Sequence, residues 1–113
     1  MKVKHFTEVA NEDANIDGAQ GANIRWVLGP ADEMPNFYLR VVEVKPGGNT
    51  PHHQHPYEHE VFVLAGQGEL LDPDGKPFEL KPGVVAYVAP DDLHQFRNTG
   101  DEVLRFICLI PKT

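Results

Sequence analysis

Residues 46–68 read P-G-G-N-T-P-H-H-Q-H-P-Y-E-H-E-V-F-V-L-A-G-Q-G, and this stretch decides the predicted fold. It opens on a Pro-Gly-Gly turn and closes on a Gly-Gln-Gly turn, and its apolar run at residues 61–64 is typical of a buried strand. Four of the six histidines fall inside it, namely His52, His53, His55 and His59. We interpret the stretch as a metal site carried on the strands of a small β-barrel.

Turn residues interrupt the rest of the chain as well. Ten glycines and ten prolines in 113 residues argue against long helices. The segments between turns predict strands at residues 2–6, 24–28, 37–45, 68–71, 76–80, 84–88 and 103–110, and a polar segment with turn chemistry at residues 11–18. The strand at 37–45 alternates, with Phe37, Leu39 and Val41 on one face and Tyr38, Arg40 and Val42 on the other. Roughly eight to ten short strands without a convincing helix predict an all-β fold, a barrel of jelly-roll type.

The composition excludes several kinds of partner. Seventeen Asp plus Glu against ten Lys plus Arg leave a net charge of −7, whereas nucleic acid or an anionic membrane requires a basic surface. No apolar run approaches the roughly 20 residues of a membrane helix, and the N-terminus lacks an apolar stretch of signal-peptide length. The single cysteine, Cys108, fits a reducing compartment. We therefore expect a cytoplasmic protein with one domain over residues 1–113 that binds a small molecule.

The histidine spacing favours ligands on strands. His53 and His55 would share one strand face, about 6.6–6.8 Å apart along the chain, and could converge on one ion at about 2.0–2.1 Å if it is zinc. His59 follows four residues later, a spacing that a helix would also align, as in H-E-x-x-H zinc proteases. Pro51 and Pro56 bracket the first two ligands and no glutamate directly follows His55, so a turn at Pro56 and a strand from His59 fits better.

The positions of the other histidines distinguish one further ligand from two residues without a role at the metal. His94 comes from a distant strand and would complete the set as a fourth ligand. His52 neighbours His53 and would face the opposite way, and the isolated His5 is assigned no role. A histidine-rich tract can also be incidental or bind metal loosely. The strand beginning at His59 would turn Glu60 outward and place three side chains on the inward face: His59, Val61 and Val63.

Two motifs resemble those of the cupin family. The first cupin motif, G-x5-H-x-H-x3,4-E-x6-G, matches the chain from Gly47 through His53 and His55 to Gly66. Counting back from Gly66 places His59 at the position of the motif's glutamate. With this replacement, the chain resembles a subgroup of small four-histidine, manganese-binding cupins.

The second cupin motif, G-x5-P-x-G-x2-H-x3-N, matches from Gly83 through Pro90 and His94 to Asn98. The proline lies one residue late and Asp92 stands near the expected glycine, but the spacing of His94 and Asn98 is intact. The resemblance implies a double-stranded β-helix with both motifs in residues 47–110, and residues 1–20 as an N-terminal arm or edge strand. It also implies a homodimer formed through sheet edges.

The ligand set implied by the resemblance is His53, His55, His59 and His94. The resemblance implies a divalent ion, most simply manganese. Iron, nickel, zinc and copper remain alternatives, because the affinity of imidazole ligands by itself favours copper or zinc over manganese. Four neutral imidazoles would leave the ion its full 2+ charge, and an octahedral ion would keep two positions for other ligands.

Three functions are compatible with such a site. The first is a metal-dependent, dioxygenase-type oxidoreductase acting on a small molecule. The second is an isomerase or epimerase, in which the metal polarises a carbonyl and a side chain moves a proton. The third is a non-catalytic module that binds a small ligand or metal. Residues expected close behind the ligands or near the mouth are Cys108, Phe96, Tyr57, Arg97 and Glu58, although each can equally be a core or solvated residue.

Overall fold

The structure is a computed structural model that describes residues 1–14 and 18–113. Nine β-strands and two short 3-10 helices, Phe6–Glu8 and Pro30–Asp32, make up its regular structure, and the described residues contain no α-helix. The strands are β1 (Glu12–Asp13), β2 (Gln20–Leu28), β3 (Phe37–Asn49), β4 (His59–Ala65), β5 (Gly68–Leu71), β6 (Pro77–Leu80), β7 (Val85–Val88), β8 (Gln95–Asn98) and β9 (Leu104–Pro111). The predicted all-β fold is confirmed.

The strands form one curled antiparallel sheet. Its order is β6-β5-β8-β3-β9-β4-β7, and β2 pairs with β3 and with β1. Strands far apart in sequence are therefore neighbours, as where β3 pairs with β9 over eight residue pairs. This topology brings the chain before β4 and the chain before β8 to the same end of the barrel.

Side-chain alternation defines the barrel interior. In β4, the predicted inward face is confirmed, because His59, Val61 and Val63 are buried while Glu60 and Phe62 are exposed. In β9, every second residue is buried from Leu104 to Ile110. Burial of this apolar face is the main stabilisation of such a sheet.

The structure differs from the predicted strands near the N-terminus. Residues 2–5 have no regular structure, and a 3-10 helix follows from Phe6. His5, which was assigned no role, caps this helix by accepting a hydrogen bond from the Thr7 backbone N–H. In the predicted polar segment 11–18, Glu12 and Asp13 pair with β2, whereas residues 15–17 lie outside the described residues.

The third strand also differs, because it continues through the Pro-Gly-Gly turn that was expected to end it. The register between β2 and β3 shifts between Gln20 and Ala22, where Gln20 faces Asn49 and Ala22 faces Val44. A β-carbon on Gly48 would lie 2.9 Å from the Lys45 carbonyl oxygen. Glycine thus permits a bulge that lengthens β3.

No helix in the described part of the chain is long and apolar enough to cross a membrane.

Candidate metal centre

Three separate segments bring four histidines to one end of the barrel. His53 and His55 lie in the segment before β4, His59 is the first residue of β4, and His94 immediately precedes β8. The backbones of His53 and His94 form an isolated antiparallel bridge, in which each N–H donates to the other's carbonyl at 3.1 and 3.0 Å. This bridge fixes two of the side chains relative to each other, although 41 residues separate them in sequence.

The ring nitrogens of three histidines lie close enough for one ion. One ligand nitrogen from each of His53, His55 and His94 lies within 4.8 Å of the other two. His59 is not within 4.8 Å of all three of these histidines, but its Nε2 lies 2.6 Å from the Nε2 of His55. Two nitrogen lone pairs repel at that distance unless a proton or a cation lies between them. His52, by contrast, is exposed.

Backbone carbonyls select the tautomer of two of these rings. The Nδ1 of His55 lies 2.9 Å from the Tyr57 carbonyl oxygen, and the Nδ1 of His94 lies 2.8 Å from that of Asp92. A carbonyl oxygen only accepts, so each Nδ1 carries the hydrogen and each Nε2 presents a lone pair. Metal-binding histidines in proteins are commonly oriented by such contacts.

His59 has different partners. Its Nδ1 lies 2.9 Å from the Cys108 Sγ and 3.2 Å from the Arg40 Nη2. The guanidinium only donates, whereas the sulfur can accept. His59 therefore offers its Nε2 to a metal when its Nδ1–H donates to Cys108, and it keeps a hydrogen on Nε2 when Arg40 donates to Nδ1.

Burial keeps the four imidazoles neutral. Loss of solvation, together with the neighbouring histidines and Arg40, lowers the pKa of His53 to about 4 and that of His59 to about 2. Burial also lowers the pKa of His55 and of His94, although the hydrogen bonds to Tyr57 O and Asp92 O oppose the shift. At neutral pH the cluster is thus uncharged and has lone pairs available, which fits a divalent ion that accepts imidazole nitrogen.

A cavity of about 210 Å³ adjoins the cluster. Its walls include four aromatic side chains, namely Trp26, Tyr57, Phe96 and Phe106. The Tyr57 ring stacks on His55 at 4.0 Å between centroids, and Phe96 stacks on Phe106 at 4.6 Å. A small molecule in this cavity would touch both the histidines and an apolar wall, as in most ligand sites.

A second cavity, about 370 Å³, lies between the β5–β6 hairpin and β7. Although larger, it shares only His94 with the histidine cluster, and its walls are mostly aliphatic. We place the candidate site in the smaller cavity because the ring nitrogens and their hydrogen bonds lie there.

Of the five residues expected near the ligands, three line the histidine cavity and two do not. Cys108, Phe96 and Tyr57 line the histidine cavity. Arg97 is exposed on β8, pairs with Glu69 and does not line the cavity. Glu58 is half-buried and is also outside the lining.

Sequence reasoning missed Arg40. In β3, Tyr38, Arg40 and Val42 are buried, while Phe37 is exposed. Arg40 therefore projects into the cavity from the more polar of the two alternating faces. The period-two pattern placed Arg40 on the opposite face of the strand from Leu39 and Val41. It did not show which of the two faces points inward, because that depends on how the sheet curls.

These features define a class of protein, a small antiparallel β-barrel with a histidine cluster and an adjoining cavity at one end. Residues 40–110 match the family model described as a cupin domain, and the chain belongs to the cupin family. This confirms the small-cupin resemblance and the barrel expected from it. The four-histidine manganese subgroup stays a prediction.

Two solved structures illustrate the similarity. The polyketide cyclase RemF from Streptomyces resistomycificus is 33% identical, with a TM-score of 0.93 over 100% of this chain and 80% of that chain. A predicted oxalate decarboxylase from Thermotoga maritima is 24% identical, with a TM-score of 0.85 over 99% of this chain and 100% of that chain. At that identity, the second match shows the fold alone.

Among curated proteins, the 1-methylthio-D-xylulose 5-phosphate methylsulfurylase of Rhodospirillum rubrum is 36% identical over 80 residues. The match covers 64% of this chain and 46% of that protein, so the chain spans about half the length of this relative. An L-ectoine synthase from Vibrio campbellii is 22% identical over 109 residues, or 96% of this chain and 84% of the relative. The named activities differ widely, which shows that the cupin fold does not define the reaction.

Proposed function

We propose that this cupin holds a divalent metal ion at His53, His55, His59 and His94 and acts as a dioxygenase-type oxidoreductase on a small molecule. The observation that carries the proposal is the convergence of ring nitrogens, three of them within 4.8 Å of one another, on a cavity with aromatic walls. The carbonyl contacts of His55 and His94 support it, because they direct both Nε2 lone pairs into the cluster.

The proposed ion is manganese, on the strength of the subgroup resemblance. Imidazole nitrogen also suits iron, nickel, zinc and copper, and the affinity order alone favours copper. When bound, such an ion would supply open coordination positions and redox or Lewis-acid chemistry.

The cavity walls favour chemistry at the metal over proton transfer by a carboxylate. Among the described residues, no aspartate or glutamate lines the cavity. An isomerase or epimerase generally needs a positioned acid or base, and Tyr57 is the main candidate that the lining provides besides the histidines and Cys108. The chain's own residues would bind and orient the substrate against the aromatic walls and exclude water.

A second candidate is non-oxidative chemistry on a carbonyl compound. It is favoured by the similarity to RemF, whose structure is described as a polyketide cyclase, and by the position of Tyr57 over His55. Oxygen dependence separates the two candidates, because only the oxidoreductase loses turnover under anaerobic conditions. Stabilisation by a ligand without any turnover would instead indicate a binding module.

Metal analysis of purified protein and two matched variants test the ligand set. A structural four-ligand zinc site gains about 10–16 kcal/mol, so one ligand contributes roughly 2.5–4 kcal/mol, or about 100- to 1000-fold in dissociation constant. We expect such a loss for His94→Ala and none for His52→Ala, measured by competition with a chelating indicator. Unchanged affinity in His94→Ala would contradict the ligand set.

The homodimer also stays a proposal. Strand β7 ends the sheet, and its Val85 and Tyr87 are 68% and 64% exposed, next to exposed Phe62 on β4. An apolar edge strand of this kind is a liability unless another chain covers it. Sedimentation velocity should show a dimer that Val85→Lys dissociates, whereas Val3→Lys, at an exposed apolar residue outside the strands, should leave it intact.

A further inference from the structure

A buried arginine shares the cavity with the histidines. Arg40 lies near the start of β3, is only 7% exposed, and lines the same cavity as the four imidazoles. Its guanidinium carbon lies 5.2 Å from the Trp26 ring centroid. Because an arginine remains charged at any physiological pH, the cavity holds a permanent positive charge.

Within residues 1–14 and 18–113, this charge has no carboxylate partner. Arg25 and Arg105 each pair with Glu43, and Arg97 pairs with Glu69. The described hydrogen-bond partners of Arg40 are instead the Cys108 carbonyl oxygen at 3.5 Å, the Cys108 Sγ at 3.0 Å and His59 Nδ1 at 3.2 Å. A buried charge without a counter-charge is costly unless something else neutralises it.

Among the described residues, one end of the guanidinium has no hydrogen-bond partner. In the described part of the chain, Nε and Nη2 make the contacts just given, and Nη1 has no acceptor. Since Arg40 lines the cavity, its free donors are available from there.

Nothing else described in the cavity wall offsets the charge. The described lining contains no aspartate or glutamate. A divalent ion at the histidines would add further positive charge on the same side. An anion is the class of ligand that this arrangement stabilises most.

We propose that Arg40 binds the oxyanion of an acidic ligand, a small organic carboxylate, whose body packs against the aromatic walls of the cavity. A carboxylate accepts from a guanidinium through charge-assisted hydrogen bonds, which are stronger than those to a neutral amide. The cavity of about 210 Å³ limits the ligand to a small acid. Contact of the same acid with a metal rests on the proposed function, whereas the contact with Arg40 does not.

The test compares acids with their neutral amides. Acetate and benzoate, and acetamide and benzamide as uncharged counterparts, are titrated calorimetrically into metal-loaded and into chelator-treated protein. We expect at least one acid to bind saturably and its amide to bind at least about tenfold more weakly. Absence of binding by both acids, or equal binding of acid and amide, would overturn the proposal.

Variants assign the binding to this residue. Arg40→Gln removes the charge and should weaken the acid at least about tenfold, whereas Arg105→Gln, on another strand and outside the cavity, should not. Acid binding that survives Arg40→Gln contradicts the proposal. If Arg40→Gln does not fold, Arg40→Lys keeps the charge without the planar fork, and the acid–amide comparison in the unmodified chain still decides.

The two proposals fail separately. Protein that takes up no divalent metal when it is offered, but binds an acid through Arg40, would refute the metal centre and support the anion site. Protein that binds metal at the histidines but treats acids and amides alike would refute the anion site alone.

Discussion

Replacing Gly66 by alanine would place a methyl group against the backbone at the start of β9. Gly66 follows β4 with φ +85°, and a β-carbon there would lie 2.8 Å from the Leu104 Cα and closer still to the Val103 carbonyl oxygen. Gly75, in the turn between β5 and β6, has a similar φ of +79°, but a β-carbon there would meet no atom within 4 Å. The two glycines therefore share the backbone conformation and differ in the space around it.

The comparison separates two free-energy costs. A left-handed conformation costs an L-residue about 1–2 kcal/mol, and the stiffer unfolded chain returns about 0.4–1 kcal/mol, so Gly75→Ala should destabilise by about 1 kcal/mol. Gly66→Ala carries the same cost and must also separate two backbones, for which overpacking costs of about 1–3 kcal/mol are typical. We expect Gly66→Ala to destabilise by about 2–4 kcal/mol in total.

Urea unfolding of both variants, followed by circular dichroism, measures the difference. The midpoints should separate while the slopes with denaturant stay equal, because the surface exposed on unfolding does not change. Free energies of unfolding that agree within about 0.5 kcal/mol would show that the close approach at Gly66 is not a constraint.

Three further predictions concern polar side chains that are buried or half-buried. Asn98→Ala removes hydrogen bonds to the Val44 and Glu102 carbonyls at 2.8 and 2.7 Å and should destabilise by about 2–4 kcal/mol in urea unfolding, and a loss below about 0.5 kcal/mol would contradict their importance. Cys108 is buried, and burial raises the pKa of its thiol, so it should react with a disulfide reagent only as fast as the chain unfolds, and rapid labelling of native protein would contradict this. Burial lowers the pKa of His53 to about 4 against about 6.5 in the unfolded chain, so the unfolded state takes up the proton first and metal-free protein should lose stability as the pH falls from about 6.5 to 4. Thermal melts across that range should show a shallower decline for His53→Gln, and identical declines would refute the assignment.

Much of the candidate site follows from local rules that the sequence contains. The spacing of His53 and His55, with prolines on both sides, argues against a helix, and the structure has none there. The strand expected to carry both ligands is wrong, because His53 forms only an isolated bridge to His94 and His55 lies outside the strands, whereas β4 begins at His59 as expected. Its period-two burial follows because successive side chains on a strand point to opposite faces. The sequence also carries the cupin motifs, and the family is confirmed.

Other features were not readable from local rules. The predicted strand at residues 2–6 was wrong. Two lysines and a histidine in residues 2–5 leave too little apolar surface for an inner strand. The predicted end of β3 was also wrong. A Pro-Gly-Gly turn was expected to end the strand, but the chain there forms a bulge beside β2 and the strand continues. In both places the outcome depends on which strand lies alongside.

The sequence by itself determined that the fold is all-β, that four histidines are available, and that His59 shares a strand face with Val61 and Val63, because these follow from composition and from the two-residue period. Only the tertiary structure decided that the Arg40 face of β3 points inward, and that His53 and His94 form a backbone bridge across 41 residues. It also decided that the Cys108 sulfur and the Arg40 guanidinium meet at the Nδ1 of His59. The physical reason is that these contacts join strands distant in the chain, so they depend on sheet order and curvature, which no local pattern of residues specifies.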